Sequence, residues 1–387
     1  IERVVFNEIT KKAVTHGIDN PRQIEPLLVD AYMARRALDY LVGFNISPIL
    51  WTKLPGSKSA GRVQSVALKL ITEREHEIEL FKPEEFWTLN IKFNDNNKNS
   101  FTANISQLNN KKVEKFSFKN KSDINKAIDD IKTKKFSISD ISTKVVSRNP
   151  SGPFTTSTLQ QISSGRLGFG ASRTMQIAQR LYQGIEIDGE TIGLITYIRT
   201  DGANISKDAV PLFRDYIKKE YGDEYLPKEP LNYSGKKAKN AQEAHEAVRP
   251  TDIMRSPDKI KKYLSPDQSK LYDLIWSRAL SSQMESAKFD RNTITINSND
   301  DGTICKASGS VIKFDGFLKV FKDQKKDDSD KILPEVSKGS VNIEELIDEQ
   351  HFTQPPPRYS EASLVKKLEE LGIGRPSTYA SIISVIS

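Results

Sequence analysis

Apolar positions switch period several times along the 387-residue chain, and the switches divide it into segments. From Tyr32 to Phe44, apolar residues fall at Ala34, Ala37, Leu38, Leu41 and Val42, one face of a helix. Val63, Val66, Ala67, Leu70 and Ile71 repeat that spacing in a second helix. From Phe86 the period shortens to two: Trp87–Phe93 and Lys135–Ile141 read as strands separated by Asn/Lys-rich turns. Pro150-Ser-Gly-Pro153 breaks the pattern. Helical spacing then returns at Thr158–Ser164, Ser172–Gln183, Lys207–Tyr221, Ala241–Val248 and Pro266–Ser286. Strand-like alternation follows at 292–297 and 311–322, and Lys322–Lys331 reads as a solvated charged loop. A helix over Ser360–Leu371 and a helix start at Pro376 close the chain. A β segment split around a helical insert predicts an α+β chain of several domains, one carried inside another.

Composition narrows the class. The formal charge of +7 favours a polyanionic partner without requiring one. A single cysteine, Cys305, excludes a disulfide framework and a Cys-based zinc site, and the four His lack ligand spacing. No apolar run is long enough for a membrane helix, so no membrane partner is expected and the expected compartment is the cytoplasm. The chain opens on Ile-Glu-Arg and closes on an apolar run that reads as helix, which points to an excerpt of a longer polypeptide.

The stretch Gly193-Leu-Ile-Thr-Tyr-Ile-Arg-Thr-Asp-Gly202 is the most informative. In a strand, Tyr197 and Arg199 project to one face. A phenolate can attack a phosphodiester, while a guanidinium grips non-bridging phosphate oxygens bidentately. An ordinary phenol has a pKa of about 10 and needs help to attack near neutrality. Alone, the pair reads first as an ordinary Tyr and Arg on a half-exposed strand.

Four further constellations suit phosphates or bases. Arg36, Asp39, Tyr40 and Phe44 lie away from the apolar stripe of the first helix, where an Arg and aromatics one turn apart combine a phosphate contact with stacking. Ser59, Arg62 and Gln64 gather at the start of the second helix, whose free N–H groups favour an anion. His245 and Arg249 share a face if 241–248 is helical. Arg375, Ser377 and Thr378 sit at another helix start. Each has a plain structural reading as a solvated face or a helix cap. Several such sites together fit a nucleic-acid strand better than a mononucleotide.

The blocks Ala34–Asp39, Ser59–Ser65, Ile195–Asp201, Ala241–Pro250 and Gly372–Ser381, in that order, carry a resemblance to the bacterial type IA DNA topoisomerases. The resemblance covers almost the whole chain. It implies a torus with a β arch and two mainly helical domains. Residues 1–22 would be the end of a Toprim domain, and 23–82 with 338–387 a helical base bearing a single-strand groove. Residues 83–153 with 285–337 would form the arch, and 154–284 the catalytic-tyrosine domain.

The resemblance also implies roles. Tyr197 would form a 5′-phosphotyrosine with one DNA strand, Arg199 would stabilise phosphate charge, and His245 would sit near the scissile strand. Arg36, Asp39, Ser59, Arg62 and Gln64 would line the groove, with Tyr40, Phe44, Thr196, Arg249, Arg375, Ser377 and Thr378 as further DNA contacts. Tyr40 and Phe44 stand where other members can carry Arg and Tyr. Mg2+ would be held by Toprim acidic residues that this chain lacks, and none by the chain itself. The expected whole is an ATP-independent, monomeric, nucleoid-associated enzyme that relaxes negative supercoils. The alternative for the isolated chain is a single-stranded-DNA clamp. A tyrosine recombinase or relaxase fits poorly, because His245 follows the Tyr and no His cluster exists.

Overall fold

A computed structural model describes residues 2–6, 9–54, 56, 59–95, 99–233, 246–322 and 332–386. It begins with helices α1 (Lys11–Asp19), α2 (Pro26–Lys53) and α3 (Arg62–Leu80). Strands β1 (Glu85–Asn94), β2 (Ser100–Leu108) and β3 (Lys111–Lys112), helix α4 (Lys121–Lys132) and strand β4 (Phe136–Arg148) follow. Next come α5 (Thr156–Leu167), α6 (Ala171–Gln183), the short hairpin β5 (Ile185–Ile187) and β6 (Glu190–Ile192), α7 (Val210–Tyr221), α8 (Pro257–Ile260) and α9 (Pro266–Ser281). The chain ends with β7 (Ala287–Ser298), β8 (Ile304–Phe314), β9 (Gly339–Phe352), α10 (Glu361–Glu370) and α11 (Tyr379–Ile386). It divides into a helix-rich unit, residues 1–76, 150–285 and 357–387, and a β-rich unit, residues 77–149 and 286–356.

The β-rich unit is one antiparallel sheet in the order β1-β9-β4-β7-β8-β2-β3, and β1 also pairs with β2. That last pairing closes six strands into a ring and removes their free edges. Alternate residues point inward: Leu89, Ile91 and Phe93 from β1, Phe101, Ala103 and Ile105 from β2, Ile294 and Ile296 from β7. Helix α4 adds Ile124, Ala127 and Ile131 at i, i+3 and i+7 to the same core. Asn120 starts α4 by accepting from the Asp123 N–H at 3.0 Å.

Two features of this unit depart from the sequence pattern. Residues 338–356 were expected in the helical base, but β9 pairs with β1 along the full length of that strand. Its alternation is hidden by a bulge: Lys92 faces Glu345 while Phe93 faces Ile343, so Glu344 is an extra residue and the inward phase shifts. The alternation predicted over 311–322 ends as strand at Phe314 and becomes a short helical turn at Gly316–Lys319. Most of the predicted charged loop, 323–331, lies outside the described residues.

In the helix-rich unit, α5, α9 and α10 each begin with a capping box, from Thr155/Thr158, Ser265/Gln268 and Ser360/Ser363. Leu364, Val365 and Leu368 of α10 and Ile382 and Ile383 of α11 form a core with Ala171 of α6 and Ala67 of α3. The predicted first helix is real and extends to 28 residues, with Pro at its first turn. Its apolar stripe is not buried as expected: Leu38 and Leu41 stay 45% and 57% exposed. Helical periodicity specifies which residues share a face, not whether a described neighbour covers it.

Candidate nucleic-acid cleavage site

The Tyr197 segment is not a regular strand. Ile195 makes a single antiparallel bridge to Pro250, and Phe154 another to Val248. The two-residue alternation nevertheless survives. Thr196, Ile198 and Thr200 are at most 1% exposed, while Tyr197 is half-buried and Arg199 exposed. The predicted juxtaposition of Tyr197 and Arg199 therefore holds, through a clamped loop instead of a ladder.

The clamp is specific. Thr196 donates its N–H to the Arg249 carbonyl at 2.9 Å and its hydroxyl to the Ala247 carbonyl at 2.8 Å. The Thr156 hydroxyl donates to the Ile198 carbonyl at 2.6 Å and accepts from the Thr200 N–H at 2.8 Å, gripping the backbone on both sides of Arg199. Gly193 enters where a Cβ would stand 2.7 Å from the Tyr182 carbonyl oxygen and 3.0 Å from that of Ile9, so only glycine fits. The Tyr182 ring meets Tyr197 edge-on, centroids 5.5 Å apart. Burial first, then the neighbouring Tyr197, raises the Tyr182 pKa above the usual phenol value.

Tyr197, Arg199 and Asp201 open with Arg35, Arg375, Pro376 and Ser377 into a cavity of about 290 Å³. Three guanidinium-bearing residues beside one carboxylate make it anion-seeking. The Arg375 loop is pre-formed. The Thr378 hydroxyl accepts from the Arg375 N–H at 2.9 Å and donates to the Arg375 carbonyl at 3.0 Å. Gly374, at φ +78°, supplies the left-handed residue of the turn. Burial, reinforced by Glu369, pushes the Tyr379 phenol at the start of α11 up to about 12.

The remaining predicted residues separate into three groups. Arg36, Tyr40 and Phe44 are exposed along one stripe of α2, with Tyr40 and Phe44 stacked at 4.2 Å. One residue over, Arg35 lines the tyrosine cavity, and Asp39, one turn further along α2, takes Arg62 at the start of α3 bidentately at 2.9 and 3.2 Å. Gln64 donates to the Ser59 carbonyl at 3.3 Å and to its hydroxyl at 3.4 Å, folding the loop before α3. The predicted groove residues thus form a polar run that meets the cavity through Arg35.

Three expectations change. Arg249 is not on a helix face: described residues 246–250 are extended, and its side chain is 6% exposed. Its guanidinium bonds Glu246 at 2.7 and 3.1 Å and the Pro250 carbonyl at 2.9 Å. Thr196 is fully buried, and its hydroxyl is spent on the clamp. Both hold the loop instead of facing a ligand. Thr378 likewise acts within its own turn, while Ser377 is exposed and lines the cavity. His245 lies outside the described residues.

Sequence inspection missed Arg35 and Asp201 as cavity residues. Arg35 shares the Asp39 side of α2 by i, i+4 spacing, a signal that the adjacent Arg36 obscured. Asp201 follows Arg199 at the two-residue spacing that already paired Tyr197 with Arg199.

This site and the closed strand ring define a class. A family model described as DNA topoisomerase matches residues 23–387, and the chain belongs to the bacterial type IA DNA topoisomerase family. It is 54% identical to DNA topoisomerase 1 of Rickettsia felis over 100% of this chain and 50% of that protein. It is 49% identical to DNA topoisomerase 1 of Zymomonas mobilis over 100% of this chain and 31% of that protein. The structure of full-length topoisomerase I from Thermotoga maritima superimposes with a TM-score of 0.83 at 37% identity, covering 99% of this chain and 60% of that one. The chain spans about half the length of the Rickettsia relative. Among the described residues, no helix is long and apolar enough to cross a membrane.

Proposed function

We propose that this chain carries the DNA-cleaving tyrosine and part of the strand-binding surface of a monomeric, cytoplasmic, nucleoid-associated type IA topoisomerase. The supporting observation is the cavity in which Tyr197 opens beside Arg199, Arg35 and Arg375. The Tyr197 oxygen attacks a backbone phosphorus of a single strand, the bond to the 3′ oxygen breaks, and the phenol proton ends on that leaving oxygen. The 5′ phosphate remains on Tyr197. Arg199 and Arg375 offset charge on the non-bridging oxygens as the phosphorus becomes five-coordinate. The other strand passes through the gap. Attack by the 3′ hydroxyl then reverses the chemistry, so negative supercoils relax without ATP.

Magnesium, implied by the family, does not fit this cavity. One carboxylate faces three cationic side chains, and among the described residues no group of three His, Cys, Asp or Glu could hold a metal. No step here is assigned to it. The part of the longer relatives that precedes the counterpart of residue 1 is the proposed source of the acidic ligands.

The test joins this chain behind the N-terminal portion of the Rickettsia felis relative and mixes it with 3′-labelled single-stranded DNA. Label should remain on the denatured protein, and Tyr197→Phe should remove it while changing single-strand affinity less than about twofold. Label persisting on the Phe variant would assign the nucleophile elsewhere. The 387-residue chain alone is proposed to bind single strands as a clamp, a reading favoured by its spanning half of its relative. Efficient plasmid relaxation by that chain alone would refute the clamp.

A further inference from the structure

A second cavity adjoins the first and, apart from the shared Arg199, its lining has no role in the chemistry above. It measures about 520 Å³, lies between α6 and α11, and shares Arg199, Pro376 and Ser377 with the tyrosine cavity. Such a volume is typical of clefts that hold small ligands, about 300–1,000 Å³. One wall is a row of amides, Gln176, Gln179 and Gln183, at i, i+3 and i+7 on α6. The other carries hydroxyls, Ser377, Ser381 and Ser384, at i, i+4 and i+7 along α11 and its leading turn. The opposite faces of both helices are committed to the core, through Ile177, Ala178 and Leu181 and through Ile382 and Ile383. Among the described residues, the three glutamine side chains make no hydrogen bond. No acidic side chain lines the cleft, and Arg180 and Arg199 are its cations.

The Ser381 hydroxyl donates to the Thr378 carbonyl at 2.8 Å and keeps its lone pairs as acceptors. Facing rows of amides and hydroxyls suit base edges, which present both donors and acceptors. Cations at the rim suit the backbone of one strand. Arg199 ties the two cavities together, so a strand held at Tyr197 by its 5′ phosphate has this cleft beside its first nucleotides. We propose that the α6–α11 cleft binds the nucleotides on the 3′ side of the cut, the segment that stays attached to Tyr197. This rests on Tyr197 being the nucleophile. It assigns the groove along α2 and α3 to the upstream segment and this cleft to the downstream one. Retaining that segment would hold the broken end in register for rejoining.

The experiment uses the 387-residue chain with Tyr197→Cys, which removes catalysis and leaves a thiol where the phosphotyrosine would form. Cys305 does not compete: it is fully buried and burial pushes its thiol up to about 12. An oligonucleotide bearing a 5′ thiol is joined by a disulfide to the thiol introduced at position 197, with 5-iododeoxyuridine at each of its first four positions in turn. Irradiation should cross-link these bases to peptides within 171–184 and 376–384. Gln179→Glu with Ser384→Asp, which sets two negative charges in the cleft, should lower that yield at least about fivefold by repelling phosphate. Circular dichroism of that variant should be unchanged, since both side chains face the cleft.

Cross-links confined to other peptides, or a yield indifferent to the two charges, would overturn the cleft assignment. The tether reports where the strand lies whether or not the chain cleaves DNA. Loss of the nucleophile assignment is read separately, by label retained on Tyr197→Phe.

Discussion

Replacing Glu246 by Gln should loosen the Tyr197 loop although residue 246 lines no part of the tyrosine cavity. Glu246 and Arg249 are 12% and 6% exposed and bond at 2.7 and 3.1 Å. Glu246 also accepts from the Ser206 N–H at 3.2 Å, and the Glu246 carbonyl accepts from the Thr200 hydroxyl at 2.9 Å. Removing one partner of a buried, hydrogen-bonded pair costs about 3–5 kcal/mol, chiefly because the other charge is left without compensation. The amides of Thr196, Ala247 and Thr251 all bond across the two segments that this pair pins. Hydrogen exchange measured by mass spectrometry should show peptides covering 193–204 and 246–255 exchanging at least about tenfold faster, a conservative share of that cost. Adding Arg249→Met to Glu246→Gln should recover about 0.5–3 kcal/mol relative to the sum of the single changes. Single-strand binding by Arg249→Met should keep the salt dependence of the unaltered chain. If that variant instead exchanges normally and flattens the slope of log K against log salt by about 0.7, Arg249 touches a phosphate and the clamp is wrong.

Three further outcomes follow from the same contacts. Thr156→Val keeps the side-chain shape but strands the Thr200 N–H and the Ile198 carbonyl, so it should cost about 1–3 kcal/mol in denaturant unfolding. Normal stability would show that the loop finds other partners. Gly61→Ala places a Cβ 2.4 Å from Gln64 Cδ, so Gln64 must leave Ser59. Because a flexible side chain can yield, unfolding should shift by less than about 1 kcal/mol, and filter binding should show weaker single-strand affinity; equal affinity would remove Gln64 from the groove. Asp300 has its carboxyl held down to about 2, first by the Ser298 hydroxyl and the Gly302 N–H and then by Lys134. Its folded value lies below the unfolded one, so its stabilisation is complete above about pH 4 and disappears as pH falls toward 2. The stability gap between Asp300→Asn and the unaltered chain should close over that interval, and a gap constant from about pH 5 to 2 would contradict the assignment.

Local pattern carried much of the fold because local physics decides it. The Ser172–Gln183 spacing appears as α6, the Pro266 start as α9, and the helix expected over Ser360–Leu371 as α10. Helix α4 and strand β2 were equally legible, through Ile124, Ala127 and Ile131 and through Phe101, Ala103 and Ile105, and went unread between Asn/Lys-rich turns. Strand β9 was hidden for a physical reason: a bulge at Glu344 breaks the period on which such reading depends. The Ala241–Val248 pattern misled at its described end. Residues 246–251 satisfy their backbone across to Phe154, Leu194, Thr196 and Asn204 instead of within a turn.

The sequence by itself determined the chemistry on offer: a phenol and a guanidinium two residues apart, basic and hydroxyl-rich helix starts, and an order of motifs that resembles one family. Side-chain identity and short spacing are enough for that. Tertiary structure decided which of those groups can be reached. It turned Arg35 toward the tyrosine, folded Arg249 and Thr196 into a clamp, and set the α6 amides opposite the α11 hydroxyls across about 200 residues of chain. Those assignments depend on which neighbour satisfies a buried donor or charge, and that neighbour is distant in sequence.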